Sequence, residues 1–179
     1  MVIGKDTRLS SYMLEYALAS GLASSGADAY MLHVVTSPCV SFVCGSEDFD
    51  LGIMISASHN PYYDNGIKIV NSRGEKVGEE LLDRIEEFLD SETELPSLKE
   101  CDLGRIYDHS SGRNRYIGYL ISLSRFSFKG KRVGLDLSNG GAFMIAKSVF
   151  EALGANVFVI GDTPNGTNIN EGVGSTHIE

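Results

Sequence analysis

The chain has 179 residues, 42% of them hydrophobic, and its 24 acidic and 15 basic residues give a formal net charge of −9. This length and composition suit a globular protein of one ordinary or two small domains, and the charge argues against nucleic acid or anionic lipid as a general partner. No stretch reaches the roughly 18 apolar residues of a membrane span, and the first residues lack the pattern of a signal peptide. Three widely spaced cysteines without a CxxC pair favour a reducing compartment, so we expect a cytoplasmic protein without a membrane partner.

The first ninety residues alternate between strand and helix patterns. "VIG" and "ADAYMLHVV" predict strands on either side of a helix that Ser10 or Ser11 would cap and Gly26 would end. "TSPCVSFVCGSE" predicts a second helix, and "LGIMIS" predicts a buried strand of the parallel type. "GIKIVN" and a helix from about residue 79 to 89 follow. This order is typical of an α/β layer architecture.

The second half of the chain repeats the alternation after a break. Residues 91–104 are polar, contain Pro96 and have no apolar period, which predicts a linker. Four predicted elements follow: a helix around residues 116–121, the strand "RVGLDL", a helix over 142–153 and the strand "NVFVIG". The Gly- and Asn-rich tail, residues 162–179, predicts a loop. We therefore expect the α/β class, with mixed, mainly parallel sheets and helices on both faces. Two consecutive small α/β domains would span residues 1–100 and 101–179.

The stretch "MISASHNPYYDNGIKIV" places a polar loop directly after a buried strand. Ligand sites in open α/β sheets lie at the carboxyl ends of strands, and hydroxyl, amide, imidazole and backbone N–H groups suit a phosphate. The alternative is an ordinary turn with a solvated His59, because Ser, Asn and Pro are common turn residues. Ser58 and His59 are adjacent, which makes them a poor nucleophile–base pair.

Two cationic side chains come near this loop. In "GIKIV" the period of two puts Ile67 and Ile69 on one face and Lys68 on the other, either facing solvent or facing the loop as a proton-transfer group. Arg8 follows the first strand in "GKDTR", at the same edge of the sheet. It could pair with an anion or with the neighbouring Asp6. Both readings stay open at this point.

Beyond these patterns, "GIMISASHNPYYDNGIK" closely resembles the active-site serine signature of the α-D-phosphohexomutase superfamily. "IGKDTRLSSYMLEYALASGLASSGA" and "EALGANVFVIGDTPNGTNINEGVGSTH" resemble flanking segments of its bacterial phosphoglucosamine mutase branch, in the same order. "SASHNP" and "NGTNIN" favour that branch over the phosphomannomutase/phosphoglucomutase relatives. The resemblance implies an isomerase of carbohydrate metabolism that interconverts glucosamine 6-phosphate and glucosamine 1-phosphate, on the route to UDP-N-acetylglucosamine and peptidoglycan.

The resemblance also implies roles for individual residues. Ser58 matches the phosphoserine, which exchanges its phosphoryl group with a phosphosugar through glucosamine 1,6-bisphosphate, and one oxygen of its phosphate is a ligand of Mg²⁺. Lys68 matches a general acid or base. His59, Asn60 and Arg8 match positions that line or support the phosphoserine pocket. A homodimer through the first domain is a further implication.

Some family segments have no counterpart in the chain. The opening segment, the D-x-D-x-D-R magnesium loop and the sugar-selecting and distal phosphate-binding segments are not found. We therefore expect a fragment, with a first domain that lacks its initial elements and most of a second domain. It would be inactive alone and would not hold Mg²⁺ tightly. The alternatives are a phosphomannomutase/phosphoglucomutase fragment, a non-catalytic phosphosugar-binding module and, more remotely, a serine hydrolase.

Overall fold

The computed structural model describes residues 1–91, 98 and 102–177, and strands and helices alternate along them. None of the described helices is long and apolar enough to cross a membrane. In chain order the elements are β1 (Val2–Lys5), α1 (Leu9–Ser24), β2 (Ala29–Val34), α2 (Ser37–Ser46), β3 (Leu51–Ile55), β4 (Ile67–Asn71), α3 (Glu79–Asp90), β5 (Ile106–Asp108), α4 (Ser111–Leu123), β6 (Arg132–Asp136), a 3₁₀ helix (Gly141–Met144), α5 (Ala146–Ala152) and β7 (Asn156–Ile160).

The strands form one five-stranded and one two-stranded sheet. The larger sheet has the order β4-β3-β1-β2-β5, in which only β4 runs antiparallel to its neighbour. The smaller sheet pairs β6 with β7 in parallel. The predicted α/β class with mixed, mainly parallel sheets is confirmed. Since β1 and β3 are parallel neighbours, the segments that leave their carboxyl ends meet at one edge, which we call the site edge.

Helices cover both faces of the large sheet. On one face, α1 packs through Ala19 and the partly buried Leu14 onto Ile3, Ile53 and other side chains of the sheet. On the opposite face, the side chains that pack together come from β1, β2 and β3 and from α2, α4 and α5; they are Val2, Leu32, Val35, Cys39, Val40, Val43, Cys44, Met54, Tyr116, Ile145 and Val149. This second core includes Val149 of α5, which also packs against β6 and β7, so α5 links the small sheet to the core of the large one.

The strand β5 was missed by the sequence analysis. It has three residues, two of them exposed, and therefore carries almost no apolar signal. It pairs with β2 and extends the large sheet, although it lies beyond the predicted domain boundary at residue 100. The division into two domains remains a prediction. Most of the predicted linker, residues 91–104, lies outside the described residues.

Two details of the predicted helices were wrong. Helix α1 begins at Leu9, so neither Ser10 nor Ser11 caps it, and Ser11 Oγ instead donates to the carbonyl oxygen of Arg8 at 2.6 Å. The predicted helix over 142–153 is divided into the 3₁₀ helix and α5. A Cβ on Gly141 would overlap the carbonyl oxygen of Val35, so this close approach to a distant segment, not local spacing, shapes the turn.

Candidate active site

The polar loop between β3 and β4, residues 56–66, lies at the site edge, beside the segment that follows β1. We call it the serine loop. Ser56 N donates to the carbonyl oxygen of Gly66 at 2.8 Å and closes the base of the loop. Asp6 N donates to the carbonyl oxygen of Ile55 at 3.0 Å, which continues the β1–β3 pairing by one residue. The loop therefore starts from a rigid pair of neighbouring strands.

Within the loop, the backbone turns sharply at Ser58. Its φ is +57°, in the left-handed region that non-glycine residues rarely occupy, and strained residues of this kind cluster at functional sites. Ser58 N donates to Ser56 Oγ at 3.1 Å, and Asn60 N donates to the carbonyl oxygen of Ala57 at 3.2 Å. Ser56 is buried and Ser58 is exposed. The turn thus presents the Ser58 side chain to solvent on a hydrogen-bonded base.

His59 and Asn60 both point away from the interior. Ser58 Oγ and His59 Nδ1 are 3.5 Å apart, at the long limit of a hydrogen bond, so the imidazole is not a tightly coupled base for this hydroxyl. Asn60 Nδ2 donates to Asp64 Oδ2 at 3.0 Å, and this contact braces the far side of the loop. The geometry agrees with the expectation that Ser58 and His59 do not form a hydrolase-type pair.

Arg8 is the main cation beneath the loop. Its side chain is only 1% exposed, and its Nε donates to Asp6 Oδ2 at 2.9 Å. Nη2 donates at 3.0 Å to the carbonyl oxygens of both Ser58 and Asn60, and Nη1 donates to that of Pro61. Of the two readings left open for Arg8, the ion pair with Asp6 is present. The remaining donors hold the loop backbone, so Arg8 shapes the site through the main chain.

Lys68 is the second residue of β4, near the site edge. In the antiparallel pairing it lies opposite Met54, whereas Ile67 and Ile69 lie opposite Ile55 and Ile53. The predicted alternation is therefore confirmed. Lys68 is exposed, and within the described residues its ammonium makes no hydrogen bond or ion pair. No described side chain neutralises its charge.

A buried charge cluster lies under α1, at the carboxyl end of β1. Lys5 and Glu15 are both 0% exposed; Lys5 Nζ lies over the Tyr12 ring, 2.8 Å from its centroid, without a hydrogen-bond partner among the described residues. Burial lowers the pKa of Lys5 to about 8, against the raising effect of the Glu15 carboxylate. Burial also raises the pKa of Glu15, whose carboxylate is 3.3 Å from His33 Nδ1. The spacing of "GKDTR" alone did not indicate that Lys5 turns inward.

The tail of the chain contributes a residue that sequence analysis missed. Asn170 Nδ2 donates at 3.0 Å to the carbonyl oxygens of Ser58 and Asn60, the same two acceptors that Arg8 binds. Two further contacts join the second half of the chain to the residues that follow β1: Leu9 N donates to the carbonyl oxygen of Gly166 at 2.8 Å, and Thr7 Oγ1 donates to that of Asn139 in the turn after β6. The tail, for which the sequence predicted only a loop, thus lies against the serine loop.

A pocket of about 440 Å³ opens between these two loops. His59 and Tyr62 line it from the serine loop, and Ile169 and His177 line it from the tail. This volume is within the range of small-molecule sites. Over the described ranges, 1–91, 98 and 102–177, no group of three or more His, Cys, Asp or Glu side chains is arranged to hold a metal ion.

Curated relatives of the chain carry a consistent name. The chain is 60% identical over 180 residues to the phosphoglucosamine mutase of Lachnospira eligens, 57% identical to that of Lachnoclostridium phytofermentans and 47% identical to that of Caldicellulosiruptor bescii. Each comparison covers 100% of this chain and 40% of the relative. The chain therefore spans about two fifths of the length of these relatives.

Solved structures share the fold. A phosphoglucomutase/phosphomannomutase family protein from Burkholderia thailandensis superposes with a TM-score of 0.74 at 25% identity, over 93% of this chain and 36% of that one. A putative phosphomannomutase from Thermus thermophilus gives 0.72 at 24% identity, over 93% and 38%. The family profile described as phosphoglucomutase/phosphomannomutase, alpha/beta/alpha domain I, matches residues 1–96, which is more than half of the chain. The chain belongs to the phosphoglucomutase/phosphomannomutase family.

Proposed function

We propose that this chain forms the phosphoserine-bearing part of a phosphoglucosamine mutase, which interconverts glucosamine 6-phosphate and glucosamine 1-phosphate. The observation that carries the proposal is Ser58, which is exposed at a φ of +57° on a loop whose backbone is held by the buried Arg8. The relatives at 47–60% identity are named phosphoglucosamine mutases, whereas the solved structures with phosphomannomutase names are 24–25% identical. Glucosamine phosphate is therefore favoured over mannose or glucose phosphate.

In the proposed reaction, Ser58 Oγ carries a phosphoryl group. The free hydroxyl of the substrate attacks this phosphorus and gives its proton to a base, while the bond to Oγ breaks and Oγ takes up a proton, which yields glucosamine 1,6-bisphosphate and a free serine. Ser58 Oγ then attacks the other phosphorus and gives up its proton. The bond from that phosphorus to the sugar oxygen breaks, and this oxygen takes up a proton as the isomer leaves. Phosphoryl transfer depends mainly on positioning and on neutralising the charge of the transferred group. A serine can therefore carry out this transfer without a histidine held in a short hydrogen bond to its hydroxyl.

The residues around Ser58 would have different roles in this reaction. Lys68, exposed and without a partner among the described residues, is free to move a proton to or from the sugar hydroxyl. His59 and Asn60 would contact the phosphoryl group from the loop itself. Arg8 would not bind that group directly, because its side chain is buried and four of its five N–H donors are used by Asp6 and by loop carbonyls.

Magnesium, which the resemblance implies, does not fit the described residues alone. The carbonyl oxygens of Ser58 and Asn60 already accept hydrogen bonds from Arg8 and Asn170, and no described cluster of side chains completes an octahedral oxygen site. The phosphate on Ser58 would supply one ligand, and we propose that the others come from residues outside this chain. We also propose that the isolated chain does not catalyse isomerisation.

The test is a chimera in which this chain replaces the matching segment of the Lachnospira eligens enzyme. We expect it to convert glucosamine 6-phosphate to glucosamine 1-phosphate and to carry one phosphoryl group on the peptide that contains Ser58. Ser58→Ala should lower turnover about a thousandfold or more, whereas Ser122→Ala, on the exposed face of α4, should not. A folded chimera without turnover, or full activity in Ser58→Ala, would overturn the proposal. Acylation of Ser58 would instead indicate a hydrolase.

Two further expectations and one alternative function have simple tests. The isolated chain, supplied with Mg²⁺ and a hexose bisphosphate, should show no isomerisation, and turnover by it would contradict its interpretation as an incomplete enzyme. Binding of glucosamine phosphate without any transfer in the chimera would favour the non-catalytic module. A homodimer, which we expect to form through residues 1–100, would double the molar mass measured by light scattering.

A further inference from the structure

The carbonyl oxygens of Ser58 and Asn60 each accept two hydrogen bonds. One donor is Nη2 of Arg8, which reaches both oxygens at 3.0 Å from beneath the loop. The other is Nδ2 of Asn170, which reaches the same two oxygens at 3.0 Å from the tail. Arg8 and Asn170 are far apart in sequence, so the serine loop is clamped between the segment after β1 and the segment after β7.

Asn170 is itself held in place by the turn that follows β6. Its backbone N donates to the carbonyl oxygen of Ser138 at 2.9 Å, and the preceding residue, Ile169, is only 5% exposed. Asn139, in the same turn, donates from Nδ2 to the carbonyl oxygen of Asn168 at 3.1 Å. The φ of Asn170 is +61°, a conformation that asparagine adopts more readily than most residues. The amide is therefore presented by a defined backbone.

We propose that Asn170 is a positioning residue for the phosphoserine loop, acting through the carbonyl groups of Ser58 and Asn60. This inference rests on the proposed function, because the loop is taken to carry the transferred phosphoryl group. The amide touches no reacting atom in this arrangement. It holds the 58–59 and 60–61 peptide units, which lie on either side of the His59–Asn60 pair, and so fixes the direction in which Ser58 and His59 leave the loop.

The clamp also makes the loop depend on the second sheet. Arg8 lies in the segment that follows β1 of the five-stranded sheet, whereas the position of Asn170 is set by the turn after β6. A change in how that turn sits against the large sheet would move the amide away from the two carbonyl oxygens. The serine would then lose one of its two supports while the charged one, Arg8, remained in place.

The side-chain chemistry selects asparagine at this position. An amide nitrogen has two hydrogen atoms, one for each carbonyl oxygen. Aspartate has nearly the same shape and also tolerates a positive φ, but it would place a negative oxygen against two carbonyl oxygens. Glycine accepts the backbone conformation and removes the side chain. Asn170→Asp and Asn170→Gly therefore separate the loss of the donor from backbone strain.

The first test measures hydrogen exchange in this chain by NMR. The amides of Ser58 and Asn60 are both hydrogen-bonded within the loop, and we expect their exchange to become about tenfold faster in Asn170→Asp and Asn170→Gly, the effect of losing about one net hydrogen bond. The amide of Ile53, in the centre of the large sheet, should not change. Asn156→Asp, an exposed substitution at the start of β7, is the matched control and should leave the loop unaffected.

The second test measures kinetics in the Lachnospira eligens chimera. A positioning role predicts that Asn170→Asp lowers kcat about tenfold and changes KM by less than about threefold, since the amide does not hold the substrate. Loop exchange and kcat equal to those of the unaltered protein would overturn the inference. So would faster exchange throughout β6 and β7 with an unchanged loop, which would show a purely structural role. If the exchange result holds while Ser58→Ala retains activity, the proposed function fails and the clamp stands.

Discussion

Replacing Arg8 with lysine tests how the serine loop is held. Lysine keeps the positive charge beside Asp6 but offers three donors from a single nitrogen, whereas the guanidinium reaches Asp6 and the carbonyl oxygens of Ser58, Asn60 and Pro61 from three nitrogens. The ammonium cannot reach all four partners, so one or two hydrogen bonds to a charged group are lost. At about 1.5 kcal/mol each, this loss predicts a decrease of about 1.5–3 kcal/mol in the free energy of unfolding.

Urea unfolding followed by circular dichroism gives that free energy, and hydrogen exchange over residues 57–61 reports the loop. We expect Arg8→Lys to show both the loss of stability and faster exchange in the loop. Arg73→Lys is the control, because Arg73 pairs with Glu75 at the surface with 76% of its side chain exposed, and its change should stay below about 0.5 kcal/mol. A stability within about 0.5 kcal/mol of wild type together with unchanged loop exchange would refute the role assigned to Arg8.

The remaining predictions concern the buried charge, a tight backbone approach and the cysteines. Because the pKa of Lys5 is about 8 in the folded chain and near 10.5 when unfolded, the unfolded state binds more protons between these values. The stability of wild type relative to Lys5→Met should therefore rise from pH 8 to 10.5 in urea titrations, and a constant difference would contradict the lowered pKa. Gly74→Ala should lower the free energy of unfolding by at least about 2 kcal/mol, because the new Cβ would overlap the carbonyl oxygen of Ser41 at a φ of +74°. Gly118→Ala, in open space on α4, should raise it by about 0.5–1 kcal/mol. Equal effects of the two substitutions would be inconsistent with the packing. Cys39 and Cys44, whose thiol pKa values are raised by burial, should resist iodoacetamide until the chain unfolds, and rapid labelling under native conditions would contradict their burial.

Local patterns in the sequence predicted most of the architecture correctly. The alternation of apolar strands with amphipathic helices indicated the α/β class and the positions of β1–β4, because each element carries its own apolar period. The three-residue β5 escaped because a strand so short has no period to read. Likewise, the 3₁₀ helix at Gly141 arises from a close approach to Val35, which no local pattern contains.

For the candidate site, the residues of the chain indicated less than the resemblance did. Composition and spacing left the loop after β3 open between an anion site and an ordinary turn and left Arg8 with two readings, whereas the family signature implied the role of Ser58. Apart from the local ion pair with Asp6, the hydrogen-bond partners of Arg8 are distant in sequence, at Ser58, Asn60 and Pro61. A contact of this kind depends on which strands become neighbours, which is a property of the sheet.

Side chains near one another in the chain were enough to indicate the class of fold, the serine loop and its place at the end of a buried strand. The folded chain was needed to show that Lys5 is buried under α1, that Arg8 holds loop carbonyls and that Asn170 reaches the same two oxygens. The physical reason is that burial and hydrogen bonding are set by what packs against a side chain, and here those partners come from distant segments brought together at one edge of the sheet.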